Sequence, residues 1–169
     1  MPSSPKFQWS KYIKEALDRT EFMALGTFGA DGSWVCPVQF SYDEKMSLYF
    51  KSIPVSRHMK NISANPQVSV AIYSTVRLPN DEVVGIQLKG SAQILMSEAE
   101  VEQAAKYHYG RSEPHIDHRS RVQEHIGKDA TWNFVKITPT EVWYFDTRLF
   151  DEETQGRQLV HLSFLDLKI

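Results

Sequence analysis

The chain has 169 residues and a mass of 19.5 kDa, enough for one domain with a substantial core, so a single domain over 1–169 is expected. Hydrophobic residues make up 41% and charged residues 24%, and the formal net charge is -2, a balance that excludes a general polyanion binder and hence a nucleic-acid partner. No apolar run approaches the roughly 20 residues of a membrane helix, and "MPSSPKFQWSKY" lacks the apolar stretch of a secretory signal, so a cytoplasmic protein with no membrane partner is expected.

Cys36 is the only cysteine, so no intramolecular disulfide and no cysteine-based zinc site can form. Its period-two spacing with Trp34, Val38 and Phe40 predicts a buried core thiol.

In chain order, Ser10 is placed to cap a helix through about Arg19, with Ile13, Ala16 and Leu17 on one face. "FMALGTF" from Phe22 and "WVCPVQFSY" from Trp34 read as two strands joined by an Asp31-Gly32 turn. Pro37 cannot donate to a ladder, so the second strand is expected at a sheet edge or with a local break, where a planar ligand can be held against free backbone groups.

"MSLYFKS" from Met46, "QVSVAIYST" from Gln67 and "VVGIQLKGSAQILM" from Val83 continue the strands, the last with a bend or bulge at Gly90. "SEAE" from Ser97 to Glu100 is a capping box opening a helix whose Val101, Ala104 and Ala105 face inward. A second helical pattern, "RSRVQEHI", ends at Gly127. "TWNFVKITPTEVWYFDT" from Thr131 supplies a sixth strand, with a seventh after a break at Pro139.

The strands do not alternate with crossover helices. The expected class is therefore mainly β with peripheral helices (α+β), a six- to seven-stranded antiparallel barrel or sandwich.

"VSRHMKNISANP", Val55 to Pro66, raises a conflict. Ser56 suits an N-cap, yet Arg57, His58 and Lys60 follow in the first turn, where the positive end of the helix dipole disfavours cations. Either these side chains extend into solvent, or a phosphate sits against the free N–H groups and the cations cooperate with the helix through it. Lys51 and Ser52, at the preceding strand end, are close enough in sequence to approach the same anion.

From Gly26 to Phe145 the segment order resembles the FMN-binding split barrels related to pyridoxamine 5'-phosphate oxidase. "YFKSIPVSRHMKNISANPQVSVAIY" is similar to that family's strand, "S-R-K" phosphate turn, helix, "N-P" stop and next strand. The resemblance implies an antiparallel split β-barrel, FMN as cofactor, and a homodimer with the cofactor at the subunit interface.

Carried over, it assigns the flavin phosphate to Arg57 and His58 and, from the preceding strand end, to Phe50 and Lys51; with Ser52 and Ser56 these form the candidate phosphate set. His58 departs from the family's lysine, replacing a permanent cation with a titratable imidazole. It assigns the flavin ring to Cys36 through Phe40, with Pro37, Val38 and Gln39 at the centre, to Gln87 on the fifth strand, and to Trp143 across a dimer interface.

Further departures separate this chain from true pyridoxamine phosphate oxidases. Val35 and Phe40 stand where those enzymes use arginine and lysine, and Arg157 and His161 in "GRQLVHL" have a different spacing from their substrate segment. The closer likeness is to the shorter general-stress-type flavin proteins.

The implied function is FMN-dependent hydride or electron transfer between a reduced nicotinamide and an unidentified small acceptor, with no catalytic acid or base assigned. The alternative is a non-catalytic barrel carrying flavin or haem, with His58 or His161 as axial ligand. A deazaflavin would call for more basic residues than Lys51, Arg57 and Lys60 provide.

His108, His115, His118 and His125 cluster without a compact ligand spacing, so a solvated helical face and no metal are expected. No G-x-S-x-G, P-loop or G-x-G-x-x-G is present.

Overall fold

In a computed structural model, residues 8–76, 82–127, 129–150 and 156–167 are described. Helix α1 spans Trp9–Asp18 and buries Trp9, Ile13, Ala16 and Leu17. It begins two residues earlier than the Ser10 cap predicts: Gln8 is the N-cap, and Ser10 lies inside the first turn.

β1 (Phe22–Gly29) and β2 (Gly32–Gln39) form a hairpin in which Gly29 pairs with Gly32. Gly32 adopts φ +87°, which explains a glycine at this turn. β3 (Ser41–Tyr42), β4 (Leu48–Ser52), α2 (Arg57–Ala64), β5 (Gln67–Tyr73), β6 (Val84–Ile94), α3 (Glu98–Ser112), α4 (His118–Arg121), β7 (Asn133–Asp146) and β8 (Arg157–Val160) follow. Every strand pairing is antiparallel, in the order β2-β1-β5-β6-β7-β4-β3, with β8 added to the last part of β7.

The expected class holds, with three differences in detail. The segment from Trp34 to Tyr42 is two strands interrupted at Phe40, where pairing changes hands: up to Gln39 the chain pairs with β1, and from Ser41 it pairs with β4. The predicted break at Pro139 is a bulge inside one 14-residue strand: Lys89 pairs with Glu141 and Gly90 with Pro139, leaving Thr140 as an extra residue. The short β8 has too little patterning of its own to be read as a strand from sequence.

The sheet curls around a core that includes Met23, Leu25, Val38, Phe50, Val70, Ile86, Leu88, Val135, Ile137 and Tyr144. On the other side of β4, α3 closes a satellite core of Tyr49, Leu95, Val101, Ala104, Ala105, Tyr109, Val122 and Phe134. Ser97 caps α3 as its motif predicts, accepting from the Glu100 N–H at 3.4 Å.

Two of the clustered histidines do not form a solvated face. His108 and His125 are each 2% exposed, with their rings 5.5 and 4.7 Å from that of Phe134. His125 bonds the Tyr109 hydroxyl at 2.9 Å and the Trp132 carbonyl at 3.0 Å, whereas neither ring nitrogen of His108 has a partner. Among the described residues, no three His, Cys, Asp or Glu side chains are grouped to hold a metal, and no helix is long and apolar enough to cross a membrane.

Candidate functional site

The barrel is split where two strand edges approach each other. Among the described residues β2 pairs only with β1, which puts it at a sheet edge, as Pro37 predicts. β4 pairs with β3 only at Leu48 and Tyr49, so Phe50, Lys51 and Ser52 lack a strand partner on that side. Free N–H and C=O groups along such edges are available to a ligand.

Helix α2 sits at one end of this split. Ser56 occupies the N-cap position, but its hydroxyl makes no capping bond, so the first-turn N–H groups gain no side-chain acceptor. The hydroxyl instead joins a triangle: Ser52 Oγ is 2.6 Å from His58 Nε2, Ser56 Oγ is 3.2 Å from the same nitrogen, and the two hydroxyls are 3.3 Å apart. Burial holds the His58 imidazole below the ordinary histidine range, so it is neutral at pH 7.

Arg57 takes the other flank of the same turn. Its Nη2 donates to the Asp31 carbonyl at 3.0 Å, and its guanidinium stacks on Trp34, 4.5 Å from the ring centroid. One turn on, Asn61 Nδ2 donates to Thr27 Oγ1 at 3.0 Å, so α2 is seated on the hairpin at two points. Gly29 makes that seat possible: a Cβ there would lie 2.1 Å from Asn61 Oδ1.

Lys51 is not brought into the triangle. Adjacent strand residues face opposite sides, so Ser52 turns towards α2 while Lys51 turns under α3. Its Nζ donates to the Tyr109 hydroxyl at 3.3 Å and lies 4.7 Å from the centre of that ring.

The ring-contact residues divide between faces. Val38 is in the core, and Cys36 is a half-buried free thiol packed against it rather than a fully buried one. Burial raises the Cys36 pKa, which leaves the thiol protonated and unreactive at neutral pH.

Pro37, Gln87 and Trp143 stand on the outer face of the sheet, in one row across six strands: Pro37, Ala24, Ala71, Gln87, Trp143, Leu159. Gln39 lies on that face too, opposite the exposed Phe22. A shallow groove of about 460 Å³ follows the row, lined by Ala24, Gly26, Val35, Ala71, Gln87 and Trp143. No described helix covers it, and Val35 and Leu159 are 64% and 58% exposed.

Sequence reasoning missed the contacts of Arg57 with Asp31 and Trp34, and of Asn61 with Thr27. The only local signal was the run of glycines around the hairpin turn.

The sequence profile of the family described as pyridoxamine 5'-phosphate oxidase matches residues 10–146. The chain belongs to this family. No functionally curated protein matches it.

Solved structures agree with the family in fold. A conserved hypothetical protein from Mycobacterium tuberculosis is 17% identical with a TM-score of 0.67, over 80% of this chain and 83% of its own. A heme binding protein from Mycobacterium smegmatis is 12% identical with a TM-score of 0.69, over 93% of this chain and 59% of its own. General stress protein 26 from Bacillus anthracis is 19% identical with a TM-score of 0.56, over 82% and 94%.

Within the pyridoxamine 5'-phosphate oxidase family frame, the α2 turn has the donor chemistry of a phosphate site: a helix N-terminus, two hydroxyls, an imidazole and a guanidinium. The Nε of Arg57 is buried without a hydrogen-bond partner, which is the state of a donor awaiting an acceptor. These donors fit the phosphate of a group such as FMN.

Proposed function

We propose that the protein is a cytoplasmic FMN-binding flavoprotein that works as a homodimer and transfers hydride or electrons from a reduced nicotinamide to a small acceptor. The observation that supports this reading is the first turn of α2, which carries Arg57 on one flank and the Ser52, Ser56 and His58 triangle on the other. When bound, the flavin supplies the redox chemistry, while the chain binds, orients and shields it.

Ser52, Ser56, Arg57 and the first-turn N–H groups of α2 hold the phosphate, and His58 pairs with it as the imidazolium. The free edge of β2 around Val38 lies along the ring. Gln87 and Trp143 face outward, so they reach the same ring only from a second copy. The outer row from Pro37 to Leu159, which no described helix covers, supports such pairing, with the small Ala24 and Ala71 at its middle leaving room for a second copy.

Titrating apo-protein with FMN, followed by its visible absorbance, tests the reading. Arg57→Ala removes a charge-assisted contact and should weaken binding by about 1.5–3 kcal/mol. Unchanged affinity would place the anion elsewhere, and a protein that takes up no FMN defeats the proposal.

A haem-carrying barrel is the second reading, favoured by the fold shared with the mycobacterial heme binding protein. Its obstacle is that one ring nitrogen of each expected ligand is already hydrogen-bonded. His58 Nε2 is engaged by two hydroxyls, and His161 Nδ1 lies 2.7 Å from the Ser163 hydroxyl and accepts from the Ser163 N–H at 3.3 Å. A Soret band in protein reconstituted with haem, absent without it, would favour this alternative.

A further inference from the structure

The Arg57 guanidinium is held before any ligand arrives. Its face lies on the indole of Trp34, its Nη2 is fixed by the Asp31 carbonyl, and its Nε is buried without an acceptor. Trp34 comes from β2 and faces the same side as Thr27, its directly paired neighbour, the residue that anchors Asn61 of α2. The hairpin tip therefore grips α2 at Arg57 and Asn61, positions i and i+4 on one helix face.

We infer that Trp34 is a positioning residue for phosphate recognition, fixing the Arg57 fork so that its remaining N–H donors are aimed before binding. The inference rests on reading Arg57 as a phosphate ligand. A free arginine loses much rotamer freedom when it engages an anion, and a guanidinium already stacked on an aromatic face loses less. The indole gives the stack its strength through its quadrupole, and the Asp31 carbonyl sets the rotation of the fork about it.

Trp34 acts on the phosphate through Arg57, whose guanidinium carbon lies 4.5 Å from its ring centroid. A group that merely braced the fold, or that touched the flavin ring, would affect phosphorylated and unphosphorylated flavin alike.

The test compares FMN with riboflavin, which lacks the phosphate, on the full-length wild type and on variants. Wild type should prefer FMN, and Arg57→Ala should reduce that preference by about 10- to 150-fold; if wild type binds both equally, the phosphate reading fails and this inference with it. Given that preference, Trp34→Leu should lower FMN affinity about 2- to 13-fold, the ordering cost of a freed arginine that must be immobilised on binding, with riboflavin affinity and the circular dichroism of the apo-protein unchanged. Trp34→Phe should restore most of the loss.

In an Arg57→Ala background, Trp34→Leu should have no further effect on the FMN-to-riboflavin ratio. An equal fall for both flavins, or a further fall of the ratio in that background, would overturn the inference while leaving the Arg57 reading intact.

Discussion

Ser52 Oγ and His58 Nε2 lie 2.6 Å apart across the junction of β4 and α2, so the imidazole is tied to the strand end and not released to solvent. Burial holds it neutral at pH 7, and a bound phosphate favours its protonated form. Binding then takes up a proton. FMN affinity should rise as pH falls from 8 towards the low His58 range, by at most about tenfold per unit, until the phosphate itself protonates near pH 6. His58→Lys should flatten that profile, and identical profiles for the two proteins would exclude His58 from the site.

His108 gives a separate acid sensitivity. Burial, with smaller contributions from Lys51 and His125, pushes it down to about 4. Between roughly pH 6.5 and 4 the unfolded chain therefore binds a proton that the folded protein refuses, and stability falls as pH drops. The lowered pKa corresponds to a loss of about 3 kcal/mol across that window. His125 is shifted in the same direction. Urea unfolding at pH 7 and pH 4.5 should show the loss for wild type and a smaller one for His108→Phe.

Gly29→Ala tests the seat of α2. The new Cβ would meet Asn61 Oδ1 at 2.1 Å, and Asn61 is buried and already bonded to Thr27. Overpacking of this kind costs about 1–3 kcal/mol. FMN affinity should fall as well, because Arg57 is one turn away. A variant as stable as wild type would show that the hairpin and helix do not meet as described.

The outer row makes a prediction about assembly. Ala71 lies near its centre, between Ala24 and Gln87. Ala71→Arg puts an unpaired charge into the proposed interface and should halve the mass measured by light scattering at micromolar concentration, with circular dichroism unchanged. A mass equal to wild type would move the interface elsewhere.

Much of the fold was legible because it is local. Alternation marked the longer strands, the glycines marked the β1–β2 turn, and Ser97 with Glu100 marked the start of α3. His108 was legible too: it follows Val101, Ala104 and Ala105 at helical spacing, on the inward face of α3, and only its polar type argued otherwise. Lys51 and Ser52 could have been separated by the same kind of rule, since neighbours on a strand diverge. The stack of Arg57 on Trp34 was not legible, because it depends on how the hairpin curls over a helix far along the chain.

Thr140 has a consequence for the evolution of chain length. Upstream of it, odd-numbered residues of β7 such as Val135 and Ile137 point into the barrel; downstream, even-numbered ones such as Val142 and Tyr144 do. One inserted residue thus switches the parity of the strand. Deleting Thr140 without restoring the bulge would turn Trp143 and Phe145 inward and drive Tyr144 and the buried, Arg148-bound Asp146 out to the surface. Length changes that preserve parity could be absorbed at this position, whereas single-residue ones would exchange lining for exterior along the rest of the strand.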